Sequence, residues 1–198
     1  ETYRRVLARR SLRDGVSTLL FVGQMDFKKN PHLILRACAL LRDQGKDFQL
    51  VMAGAGQDLE RLKALAASLN LQDRVLFTGF VGDREEILSL YRRADLLVFP
   101  SVYDNAPMVV REAAAMGTPA LLVRGSCSAE GVTHGDNGFL CEADPASIAS
   151  GIMEALPRAA HAGARARDTI PIPWALLMEQ VLERYRRLIA RHAERSPA

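Results

Sequence analysis

Two carboxylates mark the part of this chain best equipped for chemistry. Asp104 and Glu112 lie eight residues apart within the stretch Ser101 to Pro119, SVYDNAPMVVREAAAMGTP. An apolar run, Asp95 to Pro100, leads into the loop that carries Asp104. A helix-patterned segment then carries Glu112 and stops at Gly117-Thr118-Pro119, ahead of a second apolar run, Ala120 to Val123. One acid is therefore expected past the carboxyl end of a strand and the other in the following helix. In open α/β sheets that edge holds the ligand crevice. Backbone N–H groups of Ala106, Met108 and Val109 would point from the helix start toward a phosphate. Pro107 has no N–H to leave unpaired and suits the first helical turn. Asp104 also has a plainer use, as a helix cap. Glu112 stands beside Ala113, Ala114 and Ala115, which suggests close helix packing, where a carboxylate is costly unless partnered. A pair of ribose hydroxyls would satisfy it, and so would a structural salt bridge. The segment reads as a nucleotide-sugar pocket.

Other groups are expected at the same edge. Gly23, Gly54, Gly56 and Gly79 fall in or just after apolar runs, where a glycine serves either a turn or the close approach of a ligand. Lys28 and Lys29 follow the first run. Such lysines are ordinarily solvated, but here an ammonium could neutralise a diphosphate held against the helix start at Pro107.

Positioning these groups requires alternating strands and helices, and the chain supplies them. Strands are expected over 18–23, 48–53, 74–80, 95–100, 120–123 and 138–141. Helices are expected over 31–44, 57–69, 84–93, 107–116 and 146–156. The strand runs are nearly continuously apolar, as suits a sheet covered on both faces, and the alternation predicts βαβ units. The fold class is α/β, a Rossmann-like doubly wound parallel sheet with helices on both faces and a C-terminal helical appendage. The appendage comprises an Ala/Arg-rich helix over 158–168, a break at Pro171-Ile-Pro173, and an amphipathic helix over 174–191. The apolar stripe of that last helix is Leu176, Leu177, Val181, Tyr185 and Leu188. The expected division is 1–17 as a linker, 18–157 as the binding domain and 158–198 as the terminal helices.

Composition excludes several classes. The chain has 198 residues, 48% hydrophobic, enough for one globular domain. A net charge of +3 gives no argument for nucleic acid. Basic residues gather in 3–13 and 184–195, which reads first as solvated helix faces and leaves a partner domain or a peripheral membrane contact open. Cys38, Cys127 and Cys141 are odd in number and widely spaced, pointing to a reducing, cytoplasmic setting rather than a disulfide framework or structural zinc. No apolar run approaches the ~18 residues of a membrane span. Gly54-Ala55-Gly56 lacks the third glycine of a dinucleotide fingerprint, and no P-loop, DxD, HExxH or GxSxG occurs. His32, His134, His161 and His192 have no ligand spacing. The first residue is Glu1 rather than Met, so a fragment of a longer protein is expected.

Asp104-x7-Glu112 followed by Ala113 to Pro119 resembles the acid-x7-Glu signature of the large retaining glycosyltransferase family with the GT-B fold. That family is often called glycosyltransferase group 1, or family 4. The resemblance spans roughly 19–156, with the 174–188 helix also in place. Its ordered matches are Phe21-Val-Gly23 with Lys29-Asn30, Val51 to Gly56, Arg74 to Gly79, Tyr91 to Ser101, and Glu130-Gly-Val132 with Asn137-Gly138. Each is weak alone; the ordered set is specific.

The resemblance implies the C-terminal, donor-binding domain of a two-domain enzyme that transfers a sugar from a nucleotide-diphosphate sugar, UDP- or GDP-linked. The acceptor, a glycan, lipid or other molecule, would be bound mainly by a missing N-terminal domain. Glu112 would hold the ribose, Asp104 the donor-sugar hydroxyls, and Lys29 the diphosphate. Asn105, Ala106, Pro107, Met108 and Val109 would line the sugar and diphosphate. Gly23, Gln24 and Gly54 would border the donor, and Val81 would lie near the base. No metal is required in this reading, and the isolated domain would bind donor but turn over little. Two departures stand out. Gln24 occupies a position usually held by Arg and cannot offset diphosphate charge. The first acid is Asp rather than the more frequent Glu, although the Asp-Asn-x-Pro form also occurs in the family. The rival readings are a GT-B nucleotide-sugar epimerase and a non-catalytic nucleotide-binding or interaction module.

Overall fold

A computed structural model describes residues 13–171 and 174–193. Most of the expected linker, residues 1–12, lies outside them. Six parallel strands form one sheet: β1 (Thr18–Val22), β2 (Gln49–Ala53), β3 (Val75–Gly79), β4 (Leu96–Phe99), β5 (Ala120–Val123) and β6 (Phe139–Cys141). Their order is β3-β2-β1-β4-β5-β6, and every pairing is parallel. The order reverses between β1 and β4, the topological switch point where open α/β sheets bind ligands.

The helices are α1 (Pro31–Asp43), α2 (Leu59–Ser68), α3 (Arg84–Arg93), α4 (Met108–Ala115), α5 (Pro145–Ala155), α6 (Ala159–Thr169) and α7 (Trp174–Ala193). Their contacts sort them onto two faces. α1 touches α2 and α5, whereas α4 touches α3 and α6. With helices on both sides, β1, β2, β4 and β5 are almost wholly buried, which explains their unbroken apolar runs. The edge strand β3 is only half-buried.

Small residues set the close approaches. A Cβ on Gly163 of α6 would lie 2.0 Å from the carbonyl oxygen of Gly117, so α6 packs directly on the turn that ends α4. In the same region Thr118 donates its hydroxyl to the carbonyl of Tyr91 at 2.5 Å, tying the end of α4 to α3. At the sheet edge opposite the expected site, Asp95 accepts from the backbone N–H of Thr18 at 2.7 Å, locking the start of β1 to β4.

The terminal helix α7 forms as expected, but its stripe is open among the described residues. Leu176, Val181, Tyr185 and Leu188 are all exposed. No described helix is long and apolar enough to cross a membrane.

Candidate functional site

The carboxyl ends of β1 and β2 run on into a pair of loops zipped together by backbone bonds. Gly23 donates to Ala53, Met25 to Ala55, and Asp58 to Met25, all near 3.0 Å, and Gly54 donates to Gly79 at 2.9 Å. The loops approach so closely that a Cβ on Gly54 would stand 1.9 Å from the Gly23 carbonyl oxygen, and one on Gly56 2.6 Å from that of Met25. Gly54 also holds φ +144°, a conformation that suits glycine alone. Packing is thus sufficient reason for a glycine at 54.

The loop after β1 makes a short 3-10 turn, Phe27–Lys29, where the sequence suggested only a loop. Asp58 anchors it by accepting the Phe27 N–H at 3.0 Å and pairs with Arg61 at 2.8 Å. The Phe27 amide, aided by Arg61, holds the Asp58 carboxyl below the usual aspartate range. Asn30, in the left-handed region at φ 57°, donates from Nδ2 to the Pro100 carbonyl at 3.0 Å. This bond clips the turn to the end of β4 and delivers Lys29 to the loop carrying Asp104.

Lys29 Nζ and Asp104 Oδ1 are 2.5 Å apart, with both side chains about four-fifths buried (24% and 20% exposed). Asp104 therefore does not cap α4; it spends one oxygen on Lys29, and its buried Oδ2 has no partner in the protein. The Lys29 charge, expected to face a diphosphate, is already balanced by its neighbour. Ser101 lies wholly buried beside the pair, its hydroxyl likewise unpartnered. Gln24, Asp26, Lys28, Lys29, Ser101, Tyr103 and Asp104 line a polar cavity of about 170 Å³. A second cavity, about 380 Å³ and mainly apolar, is lined by Val22, Gly23, Gln24, Ala53, Gly54, Ala55, Phe80, Val81 and Ile87. Gln24 belongs to both walls, so a polar chamber and an apolar one share this residue at the switch point.

The helix start lies on the same edge. Pro107 sits at the N-cap, one position earlier than expected, and no side chain caps α4. Ala106 holds φ +44°, a strained choice for a residue with a Cβ. Asn105, Ala106 and Met108 are exposed and Val109 half-buried; none of the four, nor Pro107, lines either cavity wall.

Glu112 is also outside the cavity walls and already paired. Its Oε1 accepts from Arg84 at 2.5 Å and its Oε2 from the Tyr91 hydroxyl at 3.0 Å. Burial, reinforced by the Glu112 charge, pushes the Tyr91 phenol well above its ordinary value, so it remains a donor. Neither partner was legible in the sequence, since both come from another helix with no motif linking them to Glu112. Ser101 and Asp58 were likewise not expected as site residues: burial beside the Lys29–Asp104 pair and the bond to the Phe27 amide are set only by the fold. Among the described residues, no cluster of His, Cys, Asp or Glu has the arrangement of a metal site.

The parallel sheet and its paired cavities define a Rossmann-like α/β domain with its ligand edge at the β1/β4 switch point. The chain belongs to the family described as glycosyl transferases group 1, whose profile matches residues 5–167. A glycogen synthase of Mycobacterium tuberculosis is 33% identical over 196 residues, covering 96% of this chain and 47% of that protein. A GDP-mannose-dependent alpha-(1-6)-phosphatidylinositol dimannoside mannosyltransferase of the same species is 31% identical over 140 residues, covering 71% and 35%. The chain thus spans less than half the length of either relative. The crystal structure of Anabaena HepE in complex with UDP and glucose superposes with a TM-score of 0.70 at 20% identity. It covers 84% of this chain and 46% of that one, a likeness of fold.

Proposed function

We propose that this chain is the donor-binding part of a retaining glycosyltransferase that uses a nucleoside-diphosphate sugar. The observation that carries the reading is the polar chamber beside an apolar one, with Gln24 in both walls. A nucleotide sugar has the same two-part character: a flat base at one end and a charged, hydroxyl-rich group at the other.

In this reading the base lies against Val81 in the apolar chamber and Glu112 takes the ribose. The diphosphate sits between Lys29 and the amides at the start of α4, with Ala106 to Val109 alongside. The unpartnered Oδ2 of Asp104 accepts from a sugar hydroxyl. When the diphosphate departs, negative charge develops there, and Lys29, shared with Asp104, supplies a cation. With Gln24 in place of a second cation, leaving-group stabilisation falls mainly on Lys29 and the helix start. This reading needs no side chain here as a covalent nucleophile, and none is assigned to hold a metal. A glycan or lipid acceptor enters from a second domain, and turnover requires a cleft closed by both halves, which excludes water. The named relative uses GDP-mannose and the structural neighbour holds UDP, so both bases remain candidates. Free thiols at Cys38, Cys127 and Cys141 fit a cytoplasmic setting.

Calorimetric titration with UDP, GDP and ADP, without metal, tests the reading. One of them should bind selectively, and Glu112→Ala should weaken it by about 1–3 kcal/mol through loss of a charged hydrogen-bond acceptor. Unchanged affinity in a folded Glu112→Ala protein would remove the ribose assignment.

A further inference from the structure

We propose that Arg84 is a displaceable latch on Glu112, which ribose hydroxyls must replace, so that ribonucleotide binding carries the cost of breaking this ion pair. The inference rests on the assignment of Glu112 to the ribose made above.

The two partners of Glu112 differ in kind. Tyr91 is wholly buried and reaches Oε2 from inside the core; it fixes the carboxylate and cannot leave. Arg84 reaches Oε1 from outside, with its own side chain 67% exposed against 17% for Glu112. Its guanidinium can rotate into water with no change in the backbone. Each carboxylate oxygen offers more than one lone pair, so Tyr91 leaves room on Oε2. A vicinal diol binding both oxygens needs Oε1 as well, and it approaches from the solvent side, where the Arg84 guanidinium stands.

Arg84 is also misplaced for a local role. It is the first residue of α3, whose N-terminus is capped by Asp83 and carries Glu85 and Glu86 in its first turn. A helix start favours such acids and disfavours a cation. The helix gains nothing from Arg84, whereas Glu112 gains a partner. The segment before it brings Phe80 and Val81 into the apolar chamber, so a base arriving there sets its ribose beside the latch. A ligand with both hydroxyls displaces the guanidinium; one lacking a hydroxyl can bind beside the intact pair and carries less of that cost.

Titration of the wild type, Arg84→Met, Glu112→Ala and the double variant with UDP, GDP and 2′-deoxy-UDP tests this. Arg84→Met should tighten ribonucleotide binding about two- to five-fold, the range of an exposed ion pair. The gain should shrink for 2′-deoxy-UDP and vanish in the Glu112→Ala background. If Glu112→Ala weakens binding while Arg84→Met weakens it too or leaves it unchanged, the latch is overturned and the donor reading stands. If no nucleotide binds either the wild type or Arg84→Met, or if Glu112→Ala changes nothing, the donor reading fails and the latch with it.

Discussion

Lys29 and Asp104 can be separated experimentally by replacing each alone and both together, as Lys29→Met and Asp104→Asn. Their atoms stand 2.5 Å apart, so the gross attraction is about 7 kcal/mol at an effective dielectric constant of about 20. Most of that is offset by desolvation, which costs several kcal/mol for each buried ion, and each side chain is about four-fifths buried. The intact pair should therefore be worth little net. Breaking it from the lysine side should not be cheap. Asp104 Oδ2 already lacks a partner, so Lys29→Met leaves a carboxylate with neither oxygen satisfied, at a cost of about 2–4 kcal/mol. In Asp104→Asn the flexible lysine stem can carry its ammonium to water, and the loss should be about 1 kcal/mol. The double variant, with no buried charge left, should fall within about 1 kcal/mol of the wild type. Urea unfolding of the four proteins reads the cycle. Additive losses, or a harmless Lys29→Met, would refute the argument that Asp104 depends on Lys29 in the folded protein. A binding limb follows from the same charges. With Asp104 neutral, Lys29 is free for a diphosphate, and UDP should bind more tightly to Asp104→Asn than to the wild type.

Three further expectations follow from the loops around the site. Gly54→Ala should destabilise the protein by about 3 kcal/mol or more, because its Cβ would meet the Gly23 carbonyl oxygen at 1.9 Å; an unchanged urea midpoint would refute the tight loop crossing. Ala106→Gly should stabilise it by about 1 kcal/mol, since glycine removes the penalty of the left-handed backbone there, and thermal unfolding would report the gain. Asp58 has a lowered folded pKa, so its contribution to stability is full above the ordinary aspartate value of about 3.9 and is lost as pH falls through the lower folded value. Asp58→Asn should accordingly be less stable than the wild type near neutrality and lose less on acidification below that value. Parallel stability–pH curves would contradict this.

The elements were legible because their signals are local. Apolar runs bounded by turn residues located all six strands to within about two residues of their observed ends, and helical spacing located the helices between them. Asp104 and Glu112 could be assigned to the loop after β4 and to the helix that follows it for the same reason: each lies at a known offset from a strand that periodicity alone reveals. Partnership was not legible. Lys29 and Asp104 are 75 residues apart, Arg84 and Glu112 are 28 apart, and Tyr91 and Glu112 are 21 apart. Such separations leave no period in a sequence, because they arise only when β1 and β4 become neighbours and α3 packs on α4. Gly54 shows the same limit from the other side: its place after an apolar run suited either a turn or a ligand-facing glycine. Only the folded loops show that the Gly23 carbonyl also fills the space a side chain would need, while Gly54 still lines the apolar cavity. The sequence by itself determined which groups stand at the carboxyl edge of the sheet, through hydrophobic order along the chain. Tertiary structure decided which of those groups are already neutralised, which are held and which stand without a partner, because charge balance and hydrogen bonding depend on distances that only the packed sheet and helices set.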